Sequence, residues 1–528
     1  MISGTVASAS QSAPLEGVRI SAIRPDGAPV TEVLSDADGR WVIENVAGAA
    51  LLAFSKEGYL PKSLAVGSAA GLTIRLLEER LIGYQKRLWA QPGQNVAVLV
   101  NSPKPYRAQL LRHGIATETV MELGPFDPIS QEVPDGNFVD RGLNWREAFS
   151  YTIPPEARPG LYSLRLLEID QRDCYGITFV VSSPIKNRTA PAGLLVLAST
   201  NTWQSYNSWG GRSRYRNYED QKPSPAAIRA GVNKFARTLL PAKVRVWIKR
   251  SLGMHEPVQV QDSPKDWRFR RLSIRRPFPN CFIMDDDPLK SFSSHLAAGE
   301  WRVLAWLERE GIPYDIISGW ELSQYPERVF GYKALMLNTH CEYWTRAMVL
   351  AVKRFEAQGG WLLNLSGNSM YREIECFEDG STRCISLRLS ESIEDESALL
   401  GVCFSMAGYR TCAPFEVRNH EHWAFQGTKL KNGDLFAKES LNHPTNGTGD
   451  GGSGHETDKM TPAAPSCTVL LARGVNPKDG GADMVIIENP QGRGGVFSAS
   501  SITFGGSLLI DDPSSRLVHN LITRALAG

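Results

Sequence analysis

Ala334-Leu335-Met336-Leu337-Asn338-Thr339-His340-Cys341-Glu342-Tyr343-Trp344 decides the reading of this chain. An apolar run, Ala334 to Leu337, ends in a histidine and a carboxylate two residues apart. A strand that finishes in ionisable groups delivers them to the mouth of an α/β sheet, where open sheets place their ligands. Side chains two apart on extended backbone point the same way, so His340 and Glu342 are expected to face one pocket. An isolated His-x-Glu is more often a pair of surface hydrogen-bonding groups. The metal-binding reading gains from a second segment, Thr202-Trp203-Gln204-Ser205-Tyr206-Asn207-Ser208-Trp209-Gly210-Gly211-Arg212-Ser213-Arg214-Tyr215, which follows another apolar strand, Leu194 to Ala198. Buried tyrosines are usually core aromatics. Here Gly210-Gly211 lets the backbone turn sharply, so Tyr206 and Tyr215 can converge. Phenolate is a hard donor that suits ferric iron better than zinc.

Outward from these segments, strand-like runs (Leu194 to Ala198, Ala334 to Leu337, Trp361 to Leu365) alternate with helix-like ones. Trp301 to Gly311 carries apolar residues at helical spacing and stops at a glycine, and Tyr314 to Ile317 follows as a strand. Met348 to Ala357 reads as a helix closed by Gly359-Gly360. Alternating β and α elements imply a largely parallel sheet covered on both faces. The segment from about 428 to 465, rich in glycine, asparagine, threonine and proline, reads as a long loop, which in a compact domain is functional or disordered.

Residues 1–80 are different in kind. Short alternating strands (Val18 to Ile23, Trp41 to Ile43) are separated by turns such as Pro25-Asp26-Gly27, the mark of a small β-sandwich. Residues 81–183 form a second β-rich region, with strands at Val96 to Val100, Tyr106 to Arg112 and Gly176 to Val181, and a boundary at Ser182-Ser183-Pro184. Neither region shows a catalytic constellation, so a spacer or partner-docking role is expected of the first. The expected architecture is therefore multidomain: two N-terminal β-sandwich domains (1–80, 81–183), then a doubly wound α/β domain of amidotransferase-like type (184–528).

Composition narrows the classes. A chain of 528 residues exceeds one core. A net charge of +2 gives no global electrostatic case for nucleic acid or membrane. No apolar segment has membrane-spanning length. The N-terminus reads straight into a strand without a basic or apolar leader, so the cytoplasm is the expected compartment. The eight cysteines form no Cys-x-x-Cys pair. Cys376 and Cys384 flank a turn and can meet across a hairpin, but free thiols are expected.

Leu363 to Tyr371 is a strand running into a Gly367-Asn368 turn, which sets the Asn368 carboxamide at the same sheet edge as Glu342. Gly454-His455-Glu456-Thr457-Asp458-Lys459 is expected to be either an exposed charged loop or a cover that supplies a general base. Asp285-Asp286-Asp287 reads as a helix N-cap before Leu289. The basic run Arg268 to Arg276 reads as a solvated face or an internal carboxylate clamp.

Two resemblances follow from quoted residues. Gly4-Thr5-Val6, Pro14 to Val18, Ser35 to Trp41 and Lys56 to Tyr59 resemble the carboxypeptidase regulatory-like module, which implies a Greek-key sandwich without catalysis. From about 81 to 528 the chain resembles the large (β) subunit of N,N-dimethylformamidase. The residues that carry it are Gly83-Tyr84, Gln91 to Gly93, Pro154 to Tyr162, Tyr206 to Ser213, Trp306 to Glu308, Thr339 to Trp344, Gly367-Asn368, Gly454 to Lys459, Gly481 to Val485, Gly495 to Ile502 and Gly506 to Leu508. The resemblance implies a mononuclear non-haem Fe(III) amidohydrolase acting on the C–N bond of a small amide, N-substituted or not. It implies Tyr206, Tyr215 and Glu342 as metal ligands, His340, Asn368 and Glu456 as catalytic residues, and Phe504 as an aromatic against the substrate. The chain departs from the family pattern after Tyr215, where Arg216-Asn217-Tyr218 replaces a His-Ser-Asp-Gly-Ser-Gly segment, so the substrate wall differs and Tyr218 competes as second phenolate. A homo-oligomer is expected, with a small companion subunit allowed but not required. The alternatives are a binding protein with a degenerate site, or a zinc amidase or lactonase on the same fold.

Overall fold

The computed structural model describes residues 1–67, 71–134, 136–170, 173–184, 193–217, 267–290, 292–293, 295–443, 447–489 and 494–527. Near the N-terminus a three-stranded sheet (Arg40–Ile43, Ile2–Ser8, Leu72–Leu76) faces a four-stranded one (Pro29–Leu34, Arg19–Ile23, Leu51–Ser55, Lys62–Ala65). The alternation seen in Arg40–Ile43, where Trp41 and Ile43 are buried and their neighbours exposed, is the period-2 pattern of a half-buried strand. Val6, Ile20, Trp41, Phe54 and Ile74 fill the space between the sheets.

A second pair of sheets follows. Three strands (Phe149–Thr152, Asn95–Asn101, Ile82–Gln85) pack on five (Thr117–Phe126, Tyr106–His113, Gly160–Glu168, Cys174–Val181, Trp89–Ala90) over a core that includes Tyr84, Val98, Tyr106, Leu164 and Phe179. Both sandwich-like regions are thus sheet-rich, as the strand and turn spacing predicts.

The rest is organised by one nine-stranded sheet. Its order is Asp315–Ser318, Leu194–Ala198, Ala334–Thr339, Trp361–Ser366, Gly495–Ser498, Asp483–Glu488, Val469–Gly474, Phe415–Val417, Leu435–Phe436. The first five are parallel and the remaining pairings antiparallel, so the sheet is less parallel than the β–α alternation predicts. Alternation splits each buried strand between two cores: Leu194 and Val196 join helices Ala297–Arg309 and Asp512–Ala527 on one face. Leu195 and Leu197 join Met348, Val352 and Phe355 of helix Arg346–Ala357 on the other. That helix starts where Thr345 Oγ1 accepts from the Met348 N–H at 3.3 Å and ends before Gly359, whose φ is +92°.

The parallel strands run in the spatial order second, first, third, fourth, fifth. The chain leaves Leu194–Ala198 to one side and returns on the other at Ala334–Thr339, which opens a crevice at the carboxyl ends of those two strands. No helix among the described residues is long and apolar enough to cross a membrane.

Several local expectations change. Asp285 and Asp287 cap no helix: they accept from the Asp286, Asp287 and Leu289 N–H groups in a turn, and the next helix begins at Ala297. The basic run is not a solvated face. Arg276 is fully buried and donates to backbone carbonyls, while Arg270 pairs with Asp140 and Arg271 with Asp379. Within 428–465 the described residues include short strands, and Glu456 to Asp458 are buried instead of exposed. All eight cysteines are free; Cys384 lies opposite Ile374 and Cys376 opposite Thr382 in the hairpin.

Candidate metal and catalytic site

Three loops leave the crevice strands and meet. After Leu194–Ala198 the helix Thr200–Tyr206 carries Tyr206 at its last position, and the Gly210-Gly211 turn returns Tyr215 to it, with ring centroids 4.2 Å apart. After Ala334–Thr339 the backbone does not stay extended. Thr339 takes φ +55°, and the His340 N–H bonds back to the Asn338 carbonyl at 2.7 Å, a strained three-residue turn. His340 and Glu342 still face one pocket, brought there by the turn and not by strand alternation. After Trp361–Ser366 the chain supplies Asn368, again left-handed at φ +51°.

Glu342 is the hub and is fully buried. Its Oε2 accepts from the Tyr206 hydroxyl at 3.2 Å and from the Tyr215 hydroxyl. Its Oε1 accepts from Arg372 Nε at 2.6 Å, and the Arg372 guanidinium lies 5.6 Å from the centre of the Tyr215 ring. The Glu342 N–H donates to Thr202 Oγ1 at 3.2 Å, fixing the two loops to each other. His340 Nε2 sits 3.4 Å from Glu342 Oε2 and 3.4 Å from Glu456 Oε2. Asn368 Nδ2 donates to Glu456 Oε2 at 2.7 Å, and the Asn368 N–H to Asp458 Oδ1 at 2.8 Å.

The electrostatics follow from this packing. Burial works against charge on His340, but the two carboxylates outweigh it and raise its pKa to about 9. Burial likewise opposes ionisation of Glu456, yet His340 and Asn368 lower it to about 2. Asp458 is pushed up to about 8 by burial. Tyr206 and Tyr215 are held well above the usual phenol range, by burial of the hydroxyls and then by the Glu342 charge. The phenolate forms therefore need a cation at the point where the three oxygens converge. Two phenols and one carboxylate oxygen are hard donors, and that set fits a ferric ion.

Sequence reading brings Tyr206, Tyr215, Glu342, His340, Asn368 and Glu456 to one place, and the structure places all six there. Phe504 lies in the apolar core, edge-on to Phe415 with ring centroids 5.9 Å apart. Tyr218 lies outside the described residues. Sequence reading missed Arg372 and His295. His295 Nε2 is buried without a hydrogen-bond partner among the described residues, its ring 4.8 Å from Tyr206 and 5.4 Å from His340. His340 Nδ1, His455 Nδ1 and Asn368 Oδ1 are orphaned in the same way. Buried polar atoms are rarely left unpaired, and several at one place mark where a ligand binds. His295 follows Phe292-Ser293-Ser294, a stretch with no motif. Arg372, four residues past Asn368, was legible only as the next residue after a turn.

Fold and site together define a sheet-rich protein with a buried cluster of polar side chains at the carboxyl ends of the parallel strands. The chain belongs to the family described as N,N-dimethylformamidase beta subunit-like, C-terminal, which matches residues 107–516; the carboxypeptidase regulatory-like domain matches residues 1–77. The N,N-dimethylformamidase beta subunit of Alcaligenes sp is 27% identical over 235 residues, which cover 44% of this chain and 28% of that protein. The match thus spans little more than a quarter of the curated relative. Among solved structures, native E. coli alpha-2-macroglobulin gives a TM-score of 0.14 at 16% identity over 35% of this chain and 12% of that one. The major pilin subunit BcpA of Bacillus cereus gives 0.13 at 11% identity over 38% and 72%. At such scores the likeness carries no weight on fold or function.

Proposed function

We propose that this chain is a mononuclear iron(III) amidohydrolase that cleaves the C–N bond of a small amide on a doubly wound, amidotransferase-like domain (184–528) preceded by two sandwich domains (1–80, 81–183). The observation that carries this reading is the convergence of the Tyr206 and Tyr215 hydroxyls on Glu342 Oε2, beside a buried His340–Glu456–Asn368 constellation. Tyr206, Tyr215 and Glu342 would hold the iron. When bound, the ion supplies Lewis acidity towards a carbonyl or a water.

The chain's own residues do the rest. Glu456 is ionised at neutral pH, and Oε2 carries its contacts with His340 and Asn368, so Oε1 is the atom to take a proton from the attacking water. Charge then develops on the amide oxygen. The orphaned His340 Nδ1, as an N–H of the imidazolium, is the donor for that oxyanion, and Asn368 Oδ1 can hold the amide N–H. The proton on Glu456 passes to the departing amine. The substrate identity is tied to the segment after Tyr215, where the chain departs from the family pattern. The relative is by name a beta subunit; for this chain we propose a homo-oligomer that needs no companion, read out by solution mass.

A second reading has one observation behind it. His340, Glu342 and Glu456 place ligand atoms within 4.8 Å of one another, a nitrogen–oxygen set that suits zinc. The visible spectrum of concentrated protein separates the two. A broad purple or brown band, lost in Glu342→Gln together with the iron, is expected for ferric tyrosinate. Colourless, metal-replete protein overturns the iron reading and leaves zinc.

A further inference from the structure

The turn between the two tyrosines is gripped from two directions. Within its own domain, buried Arg276 donates to the carbonyls of Trp209, Arg212 (3.1 Å) and Asn207 (3.1 Å). From the other side comes the loop after the first strand of the chain, Ile2–Ser8. The Gly210 N–H donates to the Ser10 carbonyl at 2.6 Å, and the Ser12 hydroxyl donates to the Gly210 carbonyl at 3.1 Å. Ser12 is buried and left-handed, at φ +56°. Gly211 has φ +93°, and a Cβ built there would lie 2.0 Å from Ser12 Oγ. The contact therefore admits nothing larger than a hydrogen. Ala9 and Trp209 share one apolar core with Phe138 and Val139, and the Ser10 hydroxyl donates to Glu78, in the segment that leads into the second sandwich.

We propose that the N-terminal sandwich braces the tyrosine pair, with Ser12 as the positioning residue that fixes the Gly210-Gly211 turn and so the approach of Tyr215 to Tyr206 and Glu342. This rests on the iron reading for its purpose, but not for its geometry. Two consecutive glycines have the greatest backbone freedom of any pair, so their conformation must be imposed from outside. Within the turn the Gly211 N–H donates to the Ser208 carbonyl at 2.9 Å and the Trp209 N–H to Asn207 Oδ1 at 3.1 Å, which leaves the Gly210 N–H and carbonyl to be held from outside. The loop after the first strand supplies that restraint from nearly two hundred residues away. A sandwich that only filled space beside the catalytic domain would need neither bond, nor the exclusion of a side chain at Gly211.

The test uses the full chain with Ser12→Ala and Ser12→Gly, the second keeping the left-handed backbone without strain. Val42→Ala, on an exposed face of the same sandwich, is the control. Amide exchange across residues 206–216, iron retained against a chelator, and the position of the tyrosinate band are read together. Exchange at Gly210 roughly tenfold faster, with faster iron loss and a shifted band, is expected for both Ser12 variants and not for Val42→Ala. Faster exchange with unchanged iron retention and band assigns Ser12 a merely structural role and overturns the proposal, as does unchanged exchange. If the parent protein binds no iron, the iron reading falls separately. Exchange alone then decides whether the sandwich holds the turn.

Discussion

At the scale of single residues, one carboxylate does two incompatible things unless its oxygens are divided. Arg372 takes Glu342 Oε1, which leaves Oε2 for the tyrosine hydroxyls and commits the carboxylate to presenting one oxygen. Glu342 is completely buried and Arg372 largely so. Removing one partner of such a pair leaves an uncompensated buried charge, so Arg372→Leu is expected to cost about 3 kcal/mol in urea unfolding of metal-free protein. The arginine is also stacked near Tyr215, so the same variant should move the tyrosinate band. Glu300 offers a cleaner titration away from the proposed ligands. It is buried beneath the crevice, accepts from Trp203 Nε1 at 2.7 Å, and burial raises its pKa to about 8. Its folded pKa lies above the unfolded one, so the folded state holds the extra proton and stability is lost as pH rises from the unfolded carboxylate range to about 8. Glu300→Gln keeps the hydrogen-bonding shape and should flatten that decline when unfolding is measured from pH 5 to pH 8.

At the scale of elements, the site is assembled from strand ends that the backbone leaves abruptly. Thr339, Asn368, Met370, His455 and Ser500 all adopt left-handed φ around one pocket. Non-glycine residues there cost of order 1 kcal/mol each and persist where surrounding contacts over-determine them. The contacts are visible: the Asn368 and Ser500 segments are each tied to Asp458, through its side chain and its N–H. Gly367 marks how close the elements come. A Cβ there would lie 2.5 Å from the Glu456 carbonyl oxygen and 2.7 Å from the Ile502 nitrogen, both backbone atoms that cannot swing aside. Gly367→Ala should therefore destabilise by about 2 kcal/mol or more and lower kcat more than it raises KM, because it displaces Glu456. Thermal unfolding alongside steady-state kinetics reads both. Alternation and helical spacing made these strands and helices legible. The exit at Asn368 was legible as a Gly-Asn turn, since asparagine tolerates positive φ; the sharp exit at Thr339 was not, since threonine announces none.

At the scale of the whole molecule, the three sheet systems are joined by apolar cores that run across them and by ion pairs. Arg112 pairs with Glu308 of helix Ala297–Arg309, Arg165 with Asp286, and buried Arg212 with Asp140. Arg212 is completely buried, so Arg212→Met, which keeps volume but removes the donor shared by Asp140 and the Trp267 and Arg271 carbonyls, is expected to lower the midpoint of thermal unfolding while leaving the first sandwich's own core intact. Circular dichroism with exchange mapping over residues 2–76 tests this: loss of the first sandwich together with the rest would overturn it. The basic run from Arg268 to Arg276 takes its meaning here. Sequence alone could not tell a solvated face from a set of internal clamps, because charge spacing is the same in both.

The sequence by itself determined the periodicities, and with them the strands, the helices and the sandwich-like start. It also determined which chemistry stood at strand ends: a histidine and a glutamate after one apolar run, two tyrosines about a double glycine after another. These are local properties, set by neighbours along the chain. What the tertiary structure decided were the contacts between residues far apart along the chain. It brought Arg372 and His295 to the tyrosines, buried Glu456 to Asp458 in what had read as a loop, and laid Ser12 against Gly211. No local rule encodes such pairings, because each depends on where the strand order reverses and on which backbones can approach within a hydrogen's width.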